Sequence, residues 1–518
     1  MGGGKLNRRR AVLFLILIAG FSLAVRQAVR SRFNFNMDSY NYMLGAKILG
    51  KTGHLHGRLG PHGHPFCPHP KWLYKWGYIY FLTPFSMICD GQEEMARWVG
   101  LCVSLAGVGC AYGIARSLGT KREGALLTAA LLACSYQSIK WSTEVVSDNL
   151  GVALVLFSLW LLIQGVKKMP ARLVWSAFLL GSAVLVRNEY FLLALPWALH
   201  VLLRMRVRDH WASMAGAVLV GISILVLGLG FAAWDLREIT PVAYWESSPS
   251  KSFVLPGAFG AIHLSSSFFK YLLSEPGLVV FACLGSVQFA REKDPLLLLA
   301  SLSLISLTLL YMSFHNQQER HFYHLTPFFL LLAARSLRSF PSIDLSVFHG
   351  RISLGGKTVL GFAVVCLLVQ VGVVCSRGKS APGFEKEEAN TLARFLRRSE
   401  LPPPDLIITR NWRSTHFYTG RSTQPFQFDG ERVAHVEALP EQAVILLIVN
   451  DYIRHQRNEI EQIVGSLSQM REVCCFEVNA AHQPWYSFTN SRTRIFQTNP
   501  EGIRALRKAL RNHSPPRY

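Results

Sequence analysis

The stretch YIYFLTPFSMI, residues 78–88, decides how this chain is laid through a membrane. It is apolar, but only about half the ~20 residues that a helix needs to cross a hydrocarbon core of ~30 Å. Aromatic residues flank it and Pro84 interrupts it. If it crosses, every later loop changes side. If it does not, the basic residues of the later loops fall into register.

Upstream, KLNRRR precedes the run AVLFLILIAGFSLAV. No small-x-small cleavage site leads into a polar start, and VRQAVR follows instead, so the run reads as an uncleaved anchor. Its basic end stays cytosolic by the positive-inside rule. Further apolar runs lie at 97–116, 124–138, 150–166, 172–187, 190–203, 212–233, 276–290, 295–313, 322–337 and 357–375. With the first they make about eleven transmembrane helices. The loops that even-numbered spans deliver to the cytosol carry Arg116, Lys121 and Arg122, then Lys167, Lys168 and Arg172, then Arg204, Arg206 and Arg208, then Arg291 and Lys293, then Arg335, Arg338, Arg351 and Lys357. The opposite short loops hold Lys140, Arg187 and Arg320. Counting 78–88 as a span would put the basic loops outside. It is therefore read as a re-entrant or interfacial helix within the first outer loop.

Composition agrees. Of 518 residues, 50% are hydrophobic and 17% charged, where a soluble chain carries about a quarter charged. The net charge of +22 does not imply nucleic acid, because much of it sits in short tracts between apolar runs. The ten cysteines show no metal spacing, and most lie inside apolar runs as small hydrophobes. Adjacent Cys474 and Cys475 imply no disulfide.

The expected fold is thus a polytopic α-helical membrane protein with a small C-terminal α/β extracytoplasmic domain. Residues 1–375 form the transmembrane domain, with outer loops 28–96 and 235–275, and residues 376–518 form the soluble domain. In the latter, EKEEANTLARFLRRSEL and RHQRNEIEQIVGSLSQM read as helices, and DLIITRN and AVILLIVND as strands, with LPPPD at 401–405 between helix and strand.

Acidic residues are nearly absent from the spans and gather at their outer ends. Asp38 follows the first span, Glu144 and Asp148 lie between the third and fourth, and Glu189 follows Arg187 between the fifth and sixth. A lone exposed carboxylate is ordinary. Several on one membrane face point to a site, because ionisable groups there are costly. Glycosyl transfer from a lipid-linked sugar needs such a set. A carboxylate takes the acceptor proton, and cations, Lys, Arg or a divalent metal, meet the leaving lipid phosphate. Lys71, Lys75, Arg187 and Arg320 are the candidates.

Particular segments carry a family likeness: MDSYNYMLGAKIL (37–49), HPKWLYKWGYIYFLTPF (69–85), EEMARWVGLCVSLAGVGCAYGIARSLG (93–119), SYQSIKWSTEVVSDNLGVALVLFSLWLL (135–162), VLVRNEYFLLALPWALHVLL (184–203) and ERHFYHLTPFFLLLAARSL (319–337). In that order they resemble the GT-C glycosyltransferases that use polyprenyl- or dolichyl-phosphate sugars, among them the protein mannosyltransferases and the aminoarabinose and galacturonic acid transferases of lipid A. The likeness covers roughly residues 10–340. It implies Asp38 as base or acceptor-binding carboxylate, Asp148 or Glu144 as the second carboxylate, Lys71 as a phosphate contact with Lys75 its competitor, and Arg187 or Arg320 as helpers on the phosphate. It also implies a lipid, glycan or protein acceptor and a bacterial inner membrane or ER location. Asp38 is followed by Ser39 rather than a second acidic residue, which departs from the family pattern.

The helix after Asp38 is expected to lie flat in the outer interface, burying Tyr42, Leu44, Ile48 and Leu49. The segment GHLHGRLGPHGHPFCPH, 53–69, offers histidines and Cys67, but its spacing matches no standard zinc motif. The loop WDLREITPVAYWESSPSKSFVLPGAFG, 234–260, has the length and composition of a lid. Two other classes remain: a transporter or flippase, disfavoured because no repeat and no midplane charge is visible, and a non-catalytic subunit of the same fold.

Overall fold

The computed structural model describes residues 7–29, 37–55, 57–58, 65–66, 76–89, 91–167, 169–204, 207–237, 267–312, 319–339, 343–347, 350–354, 356–377, 384–409, 412–424, 436, 439–450, 470–479 and 490–513. The chain forms two compact units. Met1–Arg30 with His69–Gly378 make the first, and Ser31–Pro68 with Lys379–Tyr518 make the second. A unit boundary therefore falls inside the outer loop expected at 28–96.

Helix α1 (Arg8–Val29) opens the first unit, α2 (Met37–Thr52) belongs to the second, and α3 (Trp76–Ile88) returns to the first. There follow α4 (Glu93–Ser117), α5 (Arg122–Ala133), α6 (Tyr136–Thr143), α7 (Ser147–Lys167), α8 (Ala171–Val186), a 3-10 turn at Asn188–Leu193, α9 (Ala194–Arg204) and α10 (Val207–Arg237). Helices Pro276–Glu292, Pro295–Met312, Glu319–Tyr323, Thr326–Ser336 and Gly356–Arg377 complete the bundle, with a hairpin of β3 (Ile343–Val347) and β4 (Gly350–Leu354). An earlier two-residue ladder pairs β1 (Gly57–Arg58) with β2 (Pro65–Phe66).

Among the described residues, α1, α4 and α7 are long and apolar enough to cross a membrane, and the pair Ser267–Ser274 and Pro276–Glu292, bent by 92°, makes a fourth if counted as one span. Shorter apolar helices occupy Ala171–Val186, Trp211–Ile224, Pro295–Tyr311 and Gly361–Val374. The run expected as one span at 124–138 is broken: α5 ends at Ala133 and α6 begins at Tyr136. No proline or glycine marks the break. Ser135 caps α6 by accepting from Ser138 N. The Glu275 carboxylate accepts from Ser135 Oγ at 2.8 Å and Gln137 N at 2.9 Å, a favourable place for negative charge at a helix N-terminus. The segment at 78–88 is α3, 13 residues long with Pro84 inside.

One buried cation ties the start of the bundle together. Arg26 of α1 is fully buried. Its guanidinium donates to Ser142 Oγ at 2.9 Å, Ser104 Oγ and Ser138 Oγ at 2.8 Å each, Ala133 O at 3.1 Å, and Ser22. Neutral oxygens thus satisfy the charge that an apolar interior penalises.

In the second unit five strands, β5 (Leu406–Thr409), β6 (Thr423–Gln424), β7 (Ile445–Asn450), β8 (Arg471–Asn479) and β9 (Asn490–Gln497), form a mixed sheet in the order β6-β5-β7-β9-β8. Strand β7 is apolar from Ile445 to Val449, because both faces of the sheet are covered. Leu446 and Ile448 point to one core with Leu392 of helix Phe384–Arg398. Ile445, Leu447 and Val449 point to the other with Ile503 and Leu506 of helix Pro500–His513. This is the two-residue alternation of a strand. The helix expected at 454–470 lies almost wholly outside the described residues.

The surface expected for α2 is corrected. Tyr40, Tyr42, Met43, Leu44 and Ala46 are all buried in the protein. Tyr40 packs on Phe417 and Tyr418 of helix Trp412–Thr419, and Leu44 and Ile48 pack on Phe417. Every residue from Ser39 to Ala46 is buried, so the first half of α2 meets protein on all sides.

Candidate active site

The site is built at the junction of α6, α7 and the end of α8. Helix α6 is drawn onto α4 at Gly100, where a Cβ would lie 2.7 Å from Ser142 O. Arg97 of α4, paired with Glu93, donates to Thr143 O at 3.0 Å. Asn149 at the start of α7 donates to Gly100 O at 2.8 Å. These contacts fix the turn holding Glu144 and put Asp148 in the first turn of α7, the end of a helix that favours a carboxylate.

Helix α8 stops at Arg187, whose extended backbone turns the chain into the 3-10 segment. The Arg187 side chain is buried against α7. It donates to Asp148 Oδ1 at 2.8 Å, and to Glu189 Oε1 at 2.8 Å and Oε2 at 3.3 Å. The space it shares with Tyr190 exists because residue 151 is glycine. A Cβ there would come 2.7 Å from Tyr190 Cε2 and 3.4 Å from Arg187 Cγ.

His324, in the turn before helix Thr326–Ser336, adds a second bond to the same carboxylate: Nε2 lies 3.0 Å from Asp148 Oδ1. Its other nitrogen meets the Tyr190 hydroxyl. Both bonds on Asp148 therefore fall on Oδ1. Among the described residues Oδ2 has no hydrogen-bond partner.

Burial pushes the Glu144 carboxyl up to about 7, against the pull of Lys140 and Arg320, and the Asp148 charge adds to the rise. Arg320 and Asp148 thus both lie within electrostatic reach of Glu144. Burial, reinforced by Arg320 and Arg187, holds His321 well below its ordinary value, so that ring is neutral and no cation for a phosphate. For Glu189, burial raises the carboxyl but Arg187 outweighs it, and the net shift is downward.

Of the residues singled out from sequence, Asp148, Glu144, Arg187 and Arg320 share this neighbourhood in the first unit. Asp38 stands half-buried in the first turn of α2, in the second unit. Lys71 and Lys75 lie outside the described residues, as do most of the histidine-rich segment and residues 238–266 of the loop read as a lid. Among the described residues no group of three or more His, Cys, Asp or Glu could hold a metal ion. His324, Tyr190 and Asn149 were not legible: each is a single polar group beside apolar residues, with no spacing that marks it.

Superposition on solved structures aligns nearly the whole chain with ArnT from Cupriavidus metallidurans in the apo state, at a TM-score of 0.62 and 13% identity over 98% of this chain and 100% of that one. The fold is GT-C. The same ArnT bound to undecaprenyl phosphate matches at 0.61 and 13% identity, covering 93% and 97%. The arabinofuranosyltransferase AftD from Mycobacteria matches at 0.54 and 14% over 96% of this chain and 40% of that one. The Archaeoglobus fulgidus oligosaccharyltransferase in complex with Zn and sulfate matches at 0.51 and 11%, covering 84% and 67%. A protein-family model described as dolichyl-phosphate-mannose-protein mannosyltransferase matches residues 76–234, the GT-C segment that holds Glu144, Asp148 and Arg187. No curated protein sequence matches.

Proposed function

We propose that this chain is a multi-pass membrane glycosyltransferase. It moves a sugar from a polyprenyl-phosphate donor to an acceptor on the extracytoplasmic face, with about eleven spans, a cytosolic N-terminus and an extracytoplasmic C-terminal α/β domain. The observation that carries the reading is one carboxylate, Asp148, held on a single oxygen by Arg187 and His324 within a GT-C fold. The family-model match and the undecaprenyl phosphate of the ArnT relative support the donor class.

The reaction is a displacement at the anomeric carbon. The acceptor hydroxyl attacks as a carboxylate takes its proton, and the lipid phosphate departs with the bonding electrons. Asp148 and Glu144 are the candidate reacting carboxylates of the first unit, and the family likeness gives Asp38 the role of base or acceptor-binding group. Arg320 meets the leaving phosphate, with Lys71 or Lys75 as further contacts. Arg187, with three nitrogens already turned to carboxylates, orients Asp148 and Glu189 first and reaches a phosphate only through its remaining N–H groups.

The test is incubation of purified protein with a panel of polyprenyl-phosphate sugars, scoring sugar release or transfer, with Asp148→Asn and Asp38→Ala alongside. Turnover that falls in both variants supports the reading. Near-normal turnover in both sinks it, and so does silence of the wild type with every donor.

A transporter reading draws on one feature, the 92° break at which Glu275 is buried, since broken helices mark transport sites. Movement of labelled lipid-linked sugar across proteoliposomes without transfer would favour it.

A further inference from the structure

His324 is fully buried and hydrogen-bonded through both ring nitrogens, to Asp148 and to Tyr190. An ionised carboxylate only accepts, so Nε2 carries the proton and donates to Asp148 Oδ1. The Tyr190 hydroxyl then donates to Nδ1, and a neutral ring satisfies both bonds. The two bonds set the plane of the ring, and three tyrosines surround it. Tyr190 meets it edge-on with centroids 5.3 Å apart, and Tyr311 and Tyr323 lie against it at 6.0 and 6.4 Å. Its backbone is held by the start of the next helix, where Leu325 is the cap and Pro327 sits in the first turn. Gly151 makes the space into which Tyr190 fits.

We propose that His324 is a positioning residue for Asp148, a role that rests on the reading of Asp148 as a reacting carboxylate. Arg187 and His324 reach Oδ1 from elements far apart in the chain and together fix the plane of the carboxylate. Oδ2 is thereby left as the oxygen presented to a hydroxyl. A carboxylate pinned by one partner pivots about that bond. Pinned by two, it keeps one orientation, which is what proton transfer in a transition state demands.

Two amide replacements separate the two ring bonds. In His324→Gln the amide nitrogen can occupy the place of Nε2 and keep the bond to Asp148. In His324→Asn the amide oxygen occupies the place of Nδ1 and keeps only the bond from Tyr190. Expected is a kcat for His324→Gln within about threefold of wild type, and a fall of about 30-fold or more for His324→Asn and His324→Ala, with the donor KM nearly unchanged. Equal rates for the Gln and Asn variants, or a loss confined to KM, overturn the role.

A second measurement needs no turnover. The Asp148 carboxylate band is identified in the infrared difference between wild type and Asp148→Asn. It is expected to shift in His324→Asn and to hold its place in His324→Gln. A band that stays put in both overturns the positioning role. Because this band is read without donor, failure of the wild type to transfer sugar sinks the proposed function alone.

Discussion

Arg187 stands between two carboxylates, 2.8 Å from Asp148 Oδ1 through one terminal nitrogen and 2.8 Å from Glu189 Oε1 through the other. The fork of a guanidinium fits this arrangement and the single ammonium of lysine does not. Arg187→Lys keeps the charge, frees one carboxylate, and is expected to lower kcat about 100-fold. Steady-state rates with the sugar donor check this, with the elution profile in detergent confirming the fold. A loss below about threefold would mean that charge alone suffices.

Gly151→Ala should act on the same cluster from the helix side. Its new methyl would lie 2.7 Å from a Tyr190 ring carbon, so the ring has to move. Overpacking of this kind costs about 1–3 kcal/mol. The expected result is a lower thermal midpoint together with a fall in kcat of about tenfold, as Tyr190 drags His324 off Asp148. An unaltered midpoint with full activity would contradict the packing described.

Glu144 sets a pH dependence. Its carboxyl titrates at about 7 in the fold against an ordinary value of 4.5. Between those values the folded state holds a proton that the unfolded chain has released. This contribution to stability is present below pH 4.5, is lost as pH rises to about 7, and is flat above. The full span is on the order of 3 kcal/mol. Glu144→Gln should flatten that part of the stability profile, measured as the thermal midpoint at several pH values. If Glu144 takes the acceptor proton, the wild-type rate also climbs through pH about 7 and the variant loses that limb.

Arg26→Met should destabilise the first unit by roughly 3–5 kcal/mol, since it strands several buried hydroxyls that the guanidinium satisfies. The readout is the thermal midpoint in detergent. A shift of a degree or less would show that those serines find other partners.

Much of this could be read from the chain itself. Apolar runs located most of the helices, and charge in apolar surroundings flagged Asp148, Glu144, Arg187 and Arg320, because an ionisable group beside a membrane is rare enough to be a signal. The misses were long-range. The break between α5 and α6 carries no Pro or Gly, and Glu275, which backs the Ser135 cap of α6, is 140 residues from Ser135. His324 looked like one more ring in HFYH, and only the fold brings it 176 residues back to Asp148. The helix α2 misled for the opposite reason: its aromatic residues suit a lipid interface as well as a protein core, and the choice is made by Phe417 and Tyr418.

That last contact sets a timetable for biogenesis. Tyr40 leaves the ribosome soon after the first apolar segment, while its partner Tyr418 is 378 residues behind it. At ~5–20 residues per second the interval is roughly 20–75 s. Through that time α2 lacks the Phe417 and Tyr418 rings on which Tyr40 packs in the fold. Completion of the C-terminal chain thus supplies part of the packing of a segment translated near the beginning, and nascent chains truncated before residue 412 would lack it.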